Sequence, residues 1–101
     1  MLVADMHCDT IFEMDRKFHE GDPVDIKDSN LNISLNKMKQ GNYVLQNFAL
    51  FTPLKHVEDP IQHVMHLVDT FYLELEKYPD MIGIVKSYQD ILDNMKNHKM
   101  S

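Results

Sequence analysis

The stretch VADMHCDT, residues 3–10, is the part of the sequence that decides both the fold class and the candidate site. Its apolar residues predict a buried β-strand, in which alternate side chains point to the same face. His7 and Asp9 then share one face with Asp5, whereas Cys8 points to the other face. Because an ionisable group buried without a partner is costly, this face predicts a bound metal ion or a polar active site.

Length and charge exclude several classes of protein. The 101 residues suffice for one small domain or for part of one. The 10 Lys and Arg against 16 Asp and Glu give a net charge of -6, and no basic stretch carries interleaved aromatic residues. We therefore expect neither nucleic acid nor an anionic membrane as a partner. A single cysteine, no leader at the N-terminus and no transmembrane run predict a soluble, cytoplasmic protein.

Strands and helices alternate in the first half of the chain. Apolar spacing predicts a helix that ends near residues 19–21, after which residues 21–30 form an acidic connection. A short helix is then expected between the cap Asn32 and Gly41, the latter in the left-handed conformation. Residues 43–52 are apolar on both faces, which is typical of a parallel strand covered on both sides.

The second half continues the alternation. A long amphipathic helix is predicted to begin after the cap Asp59 and to keep its apolar stripe over four turns. Residues 81–85 are a candidate third strand, and Ser87 with Asp90 predicts a capping box for a last helix through about Asn97. This order predicts an α/β fold.

The predicted sheet has at least one edge without a partner, which is a liability unless something covers it. The sequence stops after a helix, where an α/β protein would enter its next strand. We therefore expect residues 1–101 to be the N-terminal part of a larger fold. Association through the open edge of the sheet, in a homodimer or otherwise, is a further expectation.

His7 and Asp9 are the strongest candidate metal ligands, because imidazole nitrogen and carboxylate oxygen both bind zinc and the strand fixes their separation. Asp5 is a candidate to orient His7 by a hydrogen bond. The alternative is a hydrogen-bonded His7 with Asp9 as the cap of the following helix, and with an Asp5 carboxylate satisfied by backbone amides. We expect Cys8 to be a small buried hydrophobe rather than a ligand or nucleophile.

The other histidines offer weaker candidates. His63 and His66 fall opposite the apolar stripe of the long helix, which predicts a solvated polar face. His19, His56 and His98 lie in predicted loops or helix ends and have no evident partner.

The second strand carries two polar side chains, Gln46 and Asn47, one on each face. We expect one of them to reach the site and the other to bond to a neighbouring connection. The sequence contains no Gly-rich phosphate loop, no Ser or Cys nucleophile signature and no HExxH motif.

The chain resembles the N-terminal third of the membrane dipeptidase (renal dipeptidase) family of zinc metallopeptidases. Residues 5–9, Asp-Met-His-Cys-Asp, match the family's Asp-x-His-x-Asp on its first strand. The passage from Asn32 into residues 46–53, and the long helix followed by Tyr78-Pro79 and the Ser87 helix, match in order and spacing. The resemblance covers essentially all of the residues.

This resemblance implies that residues 1–101 are the N-terminal portion of a single metallo-dependent hydrolase domain, an incomplete (β/α)8 barrel of parallel strands alternating with helices. A complete barrel takes roughly 250 residues and carries its site at the carboxyl ends of the strands. His7 and Asp9 would bind one of two zinc ions, and the bridging Glu and later ligands would follow residue 101. No catalytic residue is then expected within the chain.

The implied reaction is hydrolysis of the amide bond of a dipeptide by a metal-activated water. The chain alone is expected to be inactive, since the remaining ligands are missing. The lack of a leader and of a pairing cysteine, together with the acidic 21–30 connection, favours a cytoplasmic enzyme of bacterial type.

Two other functions stay open. The first is a different metal-dependent hydrolase on the same barrel, an amidohydrolase or lactonase relative, although classical amidohydrolases carry His-x-His where this chain has Asp9. The second is a non-catalytic small α/β binding module. Such a module should be monodisperse and fold cooperatively, whereas part of a barrel should aggregate, dimerise through its open edge or need its missing part.

Overall fold

The computed structural model describes residues 1–101. Two strands, four α-helices and one 3-10 turn follow each other along the chain: β1 (Val3–Cys8), α1 (Thr10–His19), α2 (Leu35–Gln40), β2 (Tyr43–Phe48), the 3-10 turn (Leu54–His56), α3 (Pro60–Glu76) and α4 (Tyr88–Lys96).

β1 and β2 pair in parallel, as the two-sided apolar pattern of the second strand predicts. Parallel strands need a crossover between them, and α1 and α2 lie within this one. The predicted α/β class is therefore confirmed. The arrangement is that of part of a (β/α)8 barrel, which two strands leave open.

β1 is less buried than the sequence predicts. It pairs with β2 alone, and Ala4, Met6 and His7 are exposed to solvent. The expectation of a buried strand is wrong for this reason: burial on both faces and both edges needs neighbours on both sides, and β1 has one.

The second strand is also shorter than predicted, ending at Phe48 rather than at residue 52. β1 ends at Cys8, whose carbonyl still accepts a hydrogen bond from Ala49 N at 2.9 Å. Beyond Ala49 no neighbouring strand remains to hold the chain extended.

Residues 81–85 do not form the predicted third strand. Ile82 makes a single parallel bridge with Met100, while the carbonyl of Gly83 accepts from the Asn94 side chain of α4 at 3.0 Å. The segment beside β2 is instead Met100–Ser101, because Ser101 N donates to Val44 O at 3.0 Å and Gln46 N donates to Ser101 O at 2.9 Å.

Two of the predicted helix caps are confirmed. Asp59 Oδ1 accepts from Gln62 N at 3.0 Å at the start of α3. Ser87 and Asp90 form both hydrogen bonds of a capping box at the start of α4.

The boundaries of α2 differ from the prediction. Ser34, not Asn32, caps this helix and accepts from Lys37 N at 3.3 Å. Gly41 has φ −84°, and the left-handed residue is Asn42 with φ 57°. The start of the helix thus lies two residues later than predicted, and the left-handed residue after its end lies one residue later. Differences of this size are common at helix ends.

The core lies between the helices and the sheet, with α1 packed on α3. It consists of ten buried apolar side chains: Ile11, Met14, Ile26, Leu31, Leu35, Met38, Leu67, Leu75, Ile82 and Met100. Ile11 and Met14 anchor α1 in this core, and α1 begins directly after Asp9.

Candidate metal centre

His7 and Asp9 lie together at the carboxyl end of β1. His7 Nε2 is 3.3 Å from Asp9 Oδ2, and the two side chains are 67% and 49% exposed. Two ligand atoms on a tetrahedral zinc ion are about 3.4 Å apart, given metal–ligand distances of roughly 2.0–2.2 Å. The nitrogen and oxygen therefore have a separation that suits one zinc ion, and both are open to solvent.

The Asp9 carboxylate does not cap the helix that follows it. Asp9 occupies the N-cap position of α1 without a side-chain capping hydrogen bond, and only its backbone carbonyl accepts, from Glu13 N at 3.0 Å. The capping alternative from the sequence is therefore not what the structure shows. The carboxylate remains available to His7 and to a cation.

Asp5 is bound to β2 rather than to His7. Gln46 Nε2 donates to Asp5 Oδ2 at 2.9 Å, and the structure contains no hydrogen bond between Asp5 and His7. The partner of Asp5 is thus a side-chain amide, not the backbone amides of the alternative. That Asp5 orients His7 in the metal-bound site stays a prediction.

Gln46 is the polar residue of the second strand that reaches the candidate site, whereas Asn47 is exposed. The Gln46 side chain is 5% exposed, and its Oε1 is the one buried side-chain atom without a hydrogen-bond partner. Its amide nitrogen also lies 3.0 Å from Asn47 O. Gln46 of β2 thereby links to β1, the strand that leads to the candidate ligands.

An open pocket of about 530 Å³ borders the pair. Asp5, His7, Asp9 and Thr10 line one side, and residues 30–33 line another. Thr10 Oγ1 contacts the carbonyl of Ile33 at 3.4 Å, which links this connection to the start of α1. The volume falls in the range of small-molecule sites, so the candidate ligands face a space that admits a small substrate.

Cys8 is buried and free, as predicted. Burial raises the pKa of its thiol, against the lowering effect of hydrogen bonding with Thr10. A thiol held in its protonated form is a poor nucleophile and a poor metal ligand.

The prediction of a solvated polar face on the long helix holds for His66, whose side chain is 50% exposed, but its imidazole also contacts α1. Its Nε2 lies 2.7 Å from Oδ1 of Asp15 on α1, and His19 Nε2 lies 3.4 Å from the same oxygen. His63 likewise has a partner, since its Nδ1 is 3.1 Å from Thr52 Oγ1. We call Asp15, His19 and His66 the helix cluster.

Sequence reasoning missed the helix cluster because its members come from two separate helices. The four-residue spacing of Asp15 and His19 was visible in the sequence, but no pattern indicated that α3 would cross this face. His56 and His98 are exposed and make no side-chain hydrogen bond.

The family model described as membrane dipeptidase (peptidase family M19) matches residues 1–101. No curated protein matches the chain. None of the helices has both the length and the apolar character needed to cross a membrane.

Proposed function

The chain belongs to the membrane dipeptidase family of metallopeptidases, and on this premise we propose that it supplies His7 and Asp9 as metal ligands of a zinc-dependent dipeptidase. The observation that carries the proposal is the 3.3 Å separation of His7 Nε2 and Asp9 Oδ2. The two atoms lie at the carboxyl end of a parallel strand, the end at which barrel enzymes place their sites.

The proposed cofactor is zinc, with two ions in the complete site. An imidazole nitrogen and a carboxylate oxygen are both zinc ligands, and neither is committed to the core of the protein. When bound, zinc lowers the pKa of a coordinated water and polarises the carbonyl of the scissile amide.

In this proposal, the residues of the chain bind the metal ion and hold its ligands in position. His7 offers its imidazole Nε2, Asp9 offers a carboxylate that does not cap α1, and Gln46 Nε2 holds the Asp5 carboxylate by a hydrogen bond of 2.9 Å. The open pocket next to the pair is proposed to receive the dipeptide.

Two ligands do not complete a zinc site, since at least one more protein ligand is required. We place the bridging Glu and the later ligands on further strands of the barrel, of which residues 1–101 would be the N-terminal portion. Residues 1–101 alone are then proposed to hydrolyse no dipeptide.

We propose that this enzyme is located in the cytoplasm. One free cysteine and a net charge of -6 support a reducing compartment and a protein that binds neither nucleic acid nor membrane. We also propose that the edge of β1 that does not pair with β2 associates with another part of the barrel or with a second copy.

The decisive experiment measures dipeptide hydrolysis by the protein that contains these residues within a whole barrel. His7→Ala and Asp9→Asn should each lower kcat/KM by at least about 100-fold, since even residues that only support ligands contribute about 10- to 100-fold. His98→Asn is the matched control, because His98 is exposed and lies near Asn42, at the amino ends of the strands.

Unchanged hydrolysis in His7→Ala and Asp9→Asn would remove these residues from the site. Hydrolysis of lactones or of non-peptide amides, without hydrolysis of dipeptides, would assign the chain to another reaction on the same barrel. For residues 1–101 alone, activity after zinc loading would contradict the proposed need for further ligands.

A further inference from the structure

We propose that the helix cluster, Asp15, His19 and His66, is a second metal site for zinc or a similar divalent transition metal. It lies between helices α1 and α3, away from the strand that carries His7 and Asp9. The proposal does not depend on the peptidase site.

Two helices bring the three ligand atoms together. Asp15 and His19 are four residues apart on α1 and so lie on the same face of that helix. Packing of α3 against α1 adds His66, which is 51 residues from Asp15 in the sequence. The three atoms, two imidazole nitrogens and one carboxylate oxygen, all lie within 4.8 Å of one another.

The distances are close to those of a metal site. Ligand atoms of a tetrahedral zinc ion are about 3.4 Å apart, and His19 Nε2 lies 3.4 Å from Asp15 Oδ1. The 2.7 Å separation of His66 Nε2 and Asp15 Oδ1 is a hydrogen-bond length, so this pair must open by about 0.7 Å when the metal binds. The His66 side chain is 50% exposed and has room to move.

Burial gives the site a fixed base and an open rim. The Asp15 side chain is only 8% exposed, whereas the His19 and His66 side chains are 65% and 50% exposed. A cation can therefore approach from solvent between the two imidazoles. Three protein ligands leave one position of a tetrahedral ion for water.

The charge of Asp15 also favours a cation. A buried carboxylate needs a charged partner, hydrogen bonds or a metal ion. The structure gives Asp15 no Lys or Arg partner, because the neighbouring Arg16 pairs with Glu13 and Glu20 instead. The side chains near its carboxylate oxygen are instead two imidazoles, a residue type that binds metal ions.

A bound ion would join α1 to α3 across their interface. Because a ligand that binds only the folded chain stabilises it, zinc should raise the unfolding temperature through this site. We infer a structural role, since the bound ion would hold together two helices of the core.

The test uses the chain of residues 1–101 carrying His7→Ala and Asp9→Asn, which removes both ligands that these residues offer to the proposed peptidase site. Zinc binding is measured by calorimetric titration, and the unfolding temperature is measured with and without zinc. We expect one bound zinc ion and a zinc-dependent rise in unfolding temperature. Because this background lacks the strand ligands, failure here is distinguishable from failure of the proposed peptidase function.

Two further variants in that background locate the ion. His19→Ala removes an exposed ligand with no expected effect on folding, and His66→Gln keeps a side-chain amide that can donate to Asp15. Each variant should weaken zinc binding by about tenfold or more. A loss of about tenfold is the lower end of the range found even for residues that only support metal ligands. The control is His63→Gln, the same change three residues earlier on α3, which should leave zinc affinity unchanged.

Absence of zinc binding in the background chain would overturn the proposal and leave the helix cluster as a hydrogen-bonded contact between α1 and α3. Zinc binding that His19→Ala and His66→Gln do not weaken would overturn it as well.

Discussion

Replacing Gln46 with glutamate tests how β2 supports the strand that carries His7. The Gln46 side chain is 5% exposed, and its Nε2 donates to Asp5 Oδ2 at 2.9 Å. Glutamate has nearly the same shape but places a carboxylate oxygen where the amide donor lies. Two carboxyl groups then meet at hydrogen-bonding distance inside the protein.

The protein can keep both carboxyl groups ionised or take up a proton, and the option with the lower free-energy cost sets the expected destabilisation. If both carboxyls stay ionised, repulsion at 2.9 Å amounts to about 6 kcal/mol at an effective dielectric constant of roughly 20. Uptake of one proton at pH 7 costs about 3.7 kcal/mol, which is about 1.36 kcal/mol per pH unit over the roughly 2.7 units above an ordinary Glu pKa of about 4.3. The proton restores a hydrogen bond to Asp5, so protonation should win.

The sign of the pH dependence is fixed by the same argument. The pKa of the introduced carboxyl is raised in the folded chain, so the folded state binds more protons than the unfolded state above about pH 4. The free energy of unfolding of Gln46→Glu should therefore fall relative to wild type as pH rises. The difference should be at most about 1 kcal/mol near pH 4 and about 4 kcal/mol at pH 7.

Urea unfolding followed by circular dichroism, at several values between about pH 4 and about pH 7, measures this difference. Asn47→Asp is the matched control, because it adds the same charge one residue away at an exposed position. Its effect should stay within about 0.5 kcal/mol at every pH. A difference between Gln46→Glu and wild type that does not vary with pH would refute the reasoning.

Three further predictions concern the packing of α3, the cap of α4 and the ionisation of a tyrosine. Leu67→Ala, at a fully buried position on α3, should lower the free energy of unfolding by about 3–5 kcal/mol in urea titrations, and a loss below about 1 kcal/mol would contradict the packing described. Ser87→Ala should cost about 1 kcal/mol in the same assay by removing the cap to Asp90 N, and no loss would show that the capping box contributes nothing. The hydrogen bond to Asp25 raises the pKa of Tyr78 to about 12. The stabilisation from this hydrogen bond should be complete below about pH 10, the unfolded pKa, and be lost as pH rises from there through the folded pKa of about 12. Ultraviolet titration should show a late-ionising tyrosine that Tyr78→Phe removes, and its persistence in that variant would assign it elsewhere.

The long helices were predictable because their signals are local. Asp59 caps α3, and Ser87 with Asp90 caps α4, through groups only three residues apart in the sequence. Such short-range hydrogen bonds depend little on the rest of the fold. The parallel pairing of β1 and β2 was predictable as well, because a strand that is apolar on both faces indicates cover on both sides.

The extent of the strands was not predictable, because a strand exists only where a neighbour pairs with it. β2 stops one residue before the last pairing with β1, at Ala49 N. The apolar residues 81–85 make one bridge, at Ile82, because the Gly83 carbonyl is taken by a side chain of α4. Alternation in the sequence indicates a capacity for pairing but cannot supply the partner.

The sequence by itself determined the closeness of His7 and Asp9, since these residues, two apart in the chain, one near the end of β1 and the other at the N-cap of α1, stay neighbours in any fold that keeps this junction of strand and helix. Only the tertiary structure decided which side chains Asp5 and His66 contact. Asp5 meets Gln46 of β2, 41 residues away, and His66 meets Asp15 of α1, 51 residues away. The physical reason is that contacts at such separations depend on how helices and strands pack against one another, which the periodicity of a single element does not specify.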